Sequence, residues 1–152
     1  MKYSEIWIIV VDSSRARIFA AGTPLGPLTE VGNLVHGEGR LRNQDLISDD
    51  GGRAFDSEGD GRHGMESKTD AKTQEQVNFA TEINHYLEQG YQGLNFDRLY
   101  LVAPPAMMGL LRNRLDKKIQ QVLVGTLDKN LVQLTPIEIR SHLPEKLWML
   151  NE

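Results

Sequence analysis

The chain contains no cysteine among its 152 residues. Disulfides and thiolate metal centres are therefore excluded, and cysteine usage says nothing about redox compartment. Long apolar runs are missing too. The run IWIIVV at 6–11 is too short to cross a bilayer. Asp12, Arg15 and Arg17 follow it at once, which spoils it as the core of an export signal. A cytoplasmic location with no membrane contact is expected. Basic excess is also lacking. The formal net charge of −4 argues against a broad phosphate-binding surface, although it leaves room for a local basic patch.

What is present fits one soluble domain over 1–152. A chain of this length buries roughly 70% of its unfolded surface, enough for a single core. Residues 6–11 are β-branched and continuously apolar, as in a buried strand. DSSR at 12–15 has turn chemistry, ARIFAA at 16–21 reads as a second strand, and LTEVGNLV at 28–35 as a third. Short connections make these an antiparallel three-strand meander. Residues 36–70 hold half of the 14 glycines, with nine acidic and five basic residues, and read as a long glycine-rich loop.

Helical spacing then returns. Val77, Ala80, Ile83 and Leu87 form a stripe over 71–89, with Asp70 as N-cap and Gly90 and Gly93 as the stop. FDRLYLVA at 96–103 is a strand. Pro104-Pro105 opens a helix over 105–120 bearing Met108, Leu111, Leu115 and Ile119 on one face. VLVGTL at 122–127 is a further strand, and TPIE at 135–138 a capping box that starts a helix ending near Leu143. The tail, 145–152, carries apolar residues that could dock on the body or meet a second subunit. The expected architecture is α/β: a mixed sheet that starts with the meander, followed by alternating helices and strands.

Several motifs compete within the loop. Gly59-x-Gly61-x-x-Gly64 has the spacing of a dinucleotide fingerprint, but AFDSE rather than a strand precedes it and the helical pattern begins several residues later, so no cofactor is expected. Asp56, Glu58, Asp60 and Gly61 occupy calcium-loop positions, yet the twelfth position is Ser67 and Glu66 falls one residue early. A metal site could instead gather Asp12, Asp56, Asp60 and His63 on one divalent ion to activate water, as a phosphoesterase would. Asp12 has an alternative as the turn-maker between the first two strands. Gly-Arg pairs place Arg40, Arg53 and Arg62 on backbone that can press against phosphate, with His63 beside Arg62. Arg112, Arg114, Lys117 and Lys118 form a second basic cluster, which could equally be a solvated helix end.

WIIVVDSSRARIF, HGEGRLRNQDLISD, GRAFDS, GRHGMESKTD, FDRLYLVAPP, LDKNL and SHLP occur in this order. Together they resemble the bacterial host attachment protein family, across most of the chain. That family is in turn similar to the central domain of eukaryotic and archaeal peptide-chain release factors and of Pelota. The resemblance implies a ribonuclease-H-like topology and a glycine-rich loop displayed to a large partner. The release-factor Gly-Gly-Gln is absent, since Gly51-Gly52 is followed by Arg53, so its hydrolytic role does not carry over. The functional expectation is a binding module for the ribosome or structured RNA. The metal-dependent enzyme and an indirect role in cell attachment are the alternatives.

Overall fold

The computed structural model describes residues 5–36 and 61–148, with side chains described from 71 onward in the second stretch. Five strands form one sheet in the order β3-β2-β1-β4-β5. They are β1 (Ile6–Val11), β2 (Arg15–Ala21), β3 (Thr29–Val35), β4 (Arg98–Val102) and β5 (Leu123–Leu127). β1 pairs antiparallel with β2 and β2 antiparallel with β3, whereas β4 lies parallel to both β1 and β5. Only β2 runs against the other four. This strand order and polarity are the ribonuclease-H-like arrangement that the sequence led us to expect.

β1 lies at the centre and is buried at every position. A strand covered on both faces needs apolar side chains on both, which explains the uninterrupted IWIIVV. Trp7, Ile9 and Val11 face one layer with Ile18, Leu99 and Leu101, where Phe79, Ala80, Ile83, Leu87, Met108, Leu111 and Ile119 cover them. Ile6, Ile8 and Val10 face the other layer with Phe19 and Val102, under Leu131, Val132, Ile139, Leu143, Leu147 and Trp148. The tail thus docks on its own chain through Leu147 and Trp148.

The helices are α1 (Gly61–Gln92), α2 (Pro105–Arg114), α3 (Lys117–Gln121) and α4 (Pro136–Ser141). Two boundaries differ from expectation. The first helix begins at Gly61, ahead of the anticipated Asp70 cap, so the loop reading of 36–70 fails over its last ten residues. Glycines at 61 and 64 lower helix propensity there, but the residues between and after them can continue the helix. Gly90 does not stop this helix either. It is buried within it, and a Cβ there would come within 2.6 Å of the Trp7 ring. The glycine serves close packing. The left-handed residue at the helix end is Leu94, with φ 62°, and the Asn95 amide closes back on the Gly90 carbonyl.

The second difference is a break in the expected 105–120 helix. Leu115 and Asp116 are extended, and the Asp116 side chain caps α3 by accepting from the Lys118 amide. The Asp116 amide itself donates to Asn84 Oδ1 on α1 at 3.1 Å. A long-range partner for that amide makes the break affordable, while Leu115 and Ile119 keep their core positions. The Thr135 capping box is present in both directions, with Glu138 N to Thr135 Oγ1 at 3.2 Å and Thr135 N to Glu138 Oε1 at 3.0 Å.

Candidate nucleic-acid interface

The sheet has two ends. At the carboxyl end of β1, Asp12 Oδ1 accepts from the amides of Ser14 and Arg15, both at 2.9 Å. Its carboxylate is engaged in the β1–β2 turn. His36, at the corresponding end of β3, lies 5.2 Å from the Phe79 ring on α1. Neither of its ring nitrogens has a hydrogen-bond partner among the described residues, and Glu82 Oε1 stands 3.9 Å from Nδ1. From Phe79 toward its start, α1 runs on to Gly61. At 1.5 Å per residue, the His63 backbone lies about 24 Å along the helix axis from Phe79.

At the amino end, α2 finishes and α3 begins. Arg112, Arg114, Lys117 and Lys118 are all exposed within this short stretch. Arg112 Nη2 donates to Thr126 Oγ1 on β5 at 2.9 Å, which holds the guanidinium against the sheet edge. Gln120 Nε2 bonds the Leu115 carbonyl at 2.9 Å and fixes α3 against the end of α2. The cations therefore belong to two short helices with an extended break between them, rather than to one continuous helix. Beside them opens a cleft of about 840 Å3, bounded by Glu5, Tyr91, Leu94, Asp97 and Lys118 among others.

Two further arginines bind the second face together. Arg17, 8% exposed, pairs in a fork with Glu30 at 3.0 Å for both contacts, and donates to the carbonyls of Val132 at 2.9 Å and Leu134 at 2.6 Å. The hydrogen bond from Arg17, with its charge, holds the Glu30 carboxyl below the usual range against the opposing effect of burial. Arg140 donates to the carbonyls of Gly26, Pro24, Pro144 and Glu145. Both arginines are structural ties. An arginine inside the apolar strand ARIFAA was a readable signal of the first. Nothing local marked the second.

Of the residues singled out in the sequence, Arg40, Arg53, Asp56 and Asp60 lie outside the described residues. So do the side chains of Arg62 and His63, whose backbone is in the first turns of α1. Arg112, Arg114, Lys117 and Lys118 are all exposed around the break between α2 and α3. Arg62 lies about 33 Å along α1 from Asn84, the residue that meets the α2–α3 junction. No group of three metal-ligating side chains gathers among the described residues. No helix among them is long and apolar enough to cross a membrane.

Residues 7–143 match the profile of a family described as "protein required for attachment to host cells". The chain belongs to this family. No curated protein matches this host attachment family member. Among solved structures it is similar to the archaeal translation termination factor aRF1, at 12% identity and a TM-score of 0.48 over 93% of this chain. It is also similar to the Aquifex aeolicus Ppx/GppA phosphatase, at 11% identity and a TM-score of 0.41 over 82% of this chain. The matched region is 35% of either of those longer chains.

Proposed function

We propose that this host attachment family member is a cytoplasmic binding module for the ribosome or another large structured RNA. The observation that carries this reading is the α2–α3 junction, where Arg112, Arg114, Lys117 and Lys118 are exposed together on a rigid body. Four exposed cations offer charge-assisted contacts to phosphates that a chain of net charge −4 does not offer generally. In this reading Arg62 and His63, whose backbone lies in the first turn of α1, extend the contact from the other end of that helix, and Arg40 and Arg53 are further phosphate contacts. A ligand touching both ends must span roughly 30 Å, which favours a particle over a short oligonucleotide. Attachment to host cells, in the family's description, then follows indirectly from binding inside the cell.

The test is sedimentation with purified ribosomes across a salt series. Each cation that neutralises a phosphate steepens the salt dependence by about 0.7–0.9 in the log–log slope. Replacing Arg112, Arg114, Lys117 and Lys118 together by glutamine is expected to flatten the slope by about three and to leave the fold intact by circular dichroism. A folded quadruple variant that pellets as the parent does, with the same slope, refutes the interface.

A further inference from the structure

The cleft beside the basic cluster has a composition that the phosphate contacts do not explain. Its volume is about 840 Å3, within the range of small-ligand sites. Tyr91 on α1 and Leu94 in the following turn give it apolar wall, over a buried Phe96 whose ring lies 5.8 Å from that of Tyr91. Four carboxylates line it: Glu5 and Asp97 just before β1 and β4, Glu88 on α1, and Asp116 between α2 and α3. Asp97 is held in place, since Oδ1 accepts from the Glu5 amide at 3.1 Å and faces Arg98 Nη1 at 3.4 Å. Lys118 belongs to both the cleft and the basic cluster.

We propose that this cleft takes an unstacked guanine base of the RNA whose phosphates lie on Arg114, Lys117 and Lys118. The inference rests on the RNA-binding reading above and deepens it. The carboxylates repel phosphate, so the backbone stays outside the cleft, on the cations. They accept from donors, and guanine offers two adjacent ones, N1–H and the N2 amino group, which match the two oxygens of one carboxylate. Uracil offers a single N–H between two carbonyls that the same carboxylates repel. An extruded base also needs a π-surface or apolar wall to replace its lost stacking, which Tyr91 and Leu94 provide. Lys118 joins base and phosphate recognition at one point.

The experiment compares two labelled single strands by fluorescence anisotropy. One is an oligouridylate, and the other is the same oligomer with one central guanosine. The guanosine strand is expected to bind about tenfold tighter, the scale of one bidentate base contact. Tyr91→Ala should remove most of that preference, by about fivefold or more, and leave the salt slope of the oligouridylate unchanged. Tyr91→Phe should retain it, because stacking needs the ring and not the hydroxyl. Glu5→Gln together with Asp97→Asn should weaken the guanosine strand relative to the oligouridylate. Equal binding of the two strands, both salt-dependent, overturns the guanine pocket and leaves the phosphate interface standing. An arginine tetrapeptide that binds the parent but not Tyr91→Ala in titration calorimetry, while guanosine does not bind, overturns it in favour of a cationic ligand. Absence of binding by either strand overturns the pocket as well, and the ribosome sedimentation then decides the interface separately.

Discussion

Replacing Arg17 by alanine should cost this protein a large part of its stability. The guanidinium is nearly inaccessible and donates to the carbonyls of Val132 and Leu134, which accept from no other side chain among the described residues. A buried acceptor left without its donor costs about 1–3 kcal/mol. Glu30 is about a third exposed, so its carboxylate can rehydrate and adds little to the loss. The side chain also lies 5.0 Å from the Phe19 ring centroid, and that contact goes with it. The expected total is about 3–5 kcal/mol, against a typical domain stability of about 5–15 kcal/mol. Arg17→Met, which keeps much of the stem, should lose less. Urea unfolding followed by the two buried tryptophans, Trp7 and Trp148, measures both. The pH dependence gives an independent check. Glu30 has its folded pKa depressed, so its contribution is full above the unfolded value of about 4.3 and is lost as pH falls through the folded value. In Arg17→Met this part of the acid loss should disappear. An alanine variant within about 1 kcal/mol of the parent, with an unchanged acid limb, would refute the view that Arg17 ties the second face together.

Other perturbations follow from single positions. Gly90→Ala gains helix propensity of about 1 kcal/mol but drives a methyl to 2.6 Å from the Trp7 ring, so a net loss of about 1–2 kcal/mol is expected in urea unfolding. Leu94→Gly should stabilise by up to about 1 kcal/mol, because leucine sits at φ 62° with an exposed side chain; a thermal melt would show it. Burial raises the Tyr100 hydroxyl above its ordinary pKa. Stability should therefore fall as pH rises past about 10, where the unfolded tyrosine ionises first, and Tyr100→Phe should remove that component of the alkaline loss.

The sheet was legible because its strands carry their own signals. IWIIVV is apolar on both faces and the turn residues stand where β1 meets β2, so strand count and meander could be read directly. The TPIE cap was equally local. What could not be read depends on distant partners. Gly90 looks like a helix stop until Trp7 is placed against it. The break at Leu115-Asp116 is invisible until Asn84 supplies an acceptor for the freed amide. Residues 61–70 carry glycines and mixed charges in proportions that suit a loop as well as a helix end. At the candidate interface, the cations were readable as a cluster. The cleft beside them was not, because Glu5, Tyr91, Asp97 and Lys118 meet only after β1, α1, β4 and α3 have assembled.

Arg17 and Arg140 each join segments separated by more than 110 residues. The first layer of the core is complete once α3 has formed, but the second needs Leu131 to Trp148. During synthesis, one side of the sheet must therefore wait uncovered until Leu131 to Trp148 have been made. A chain cut short before α4 would keep Ile6, Ile8, Val10 and Phe19 open to water and to its neighbours, which makes translational truncation at that point an aggregation hazard.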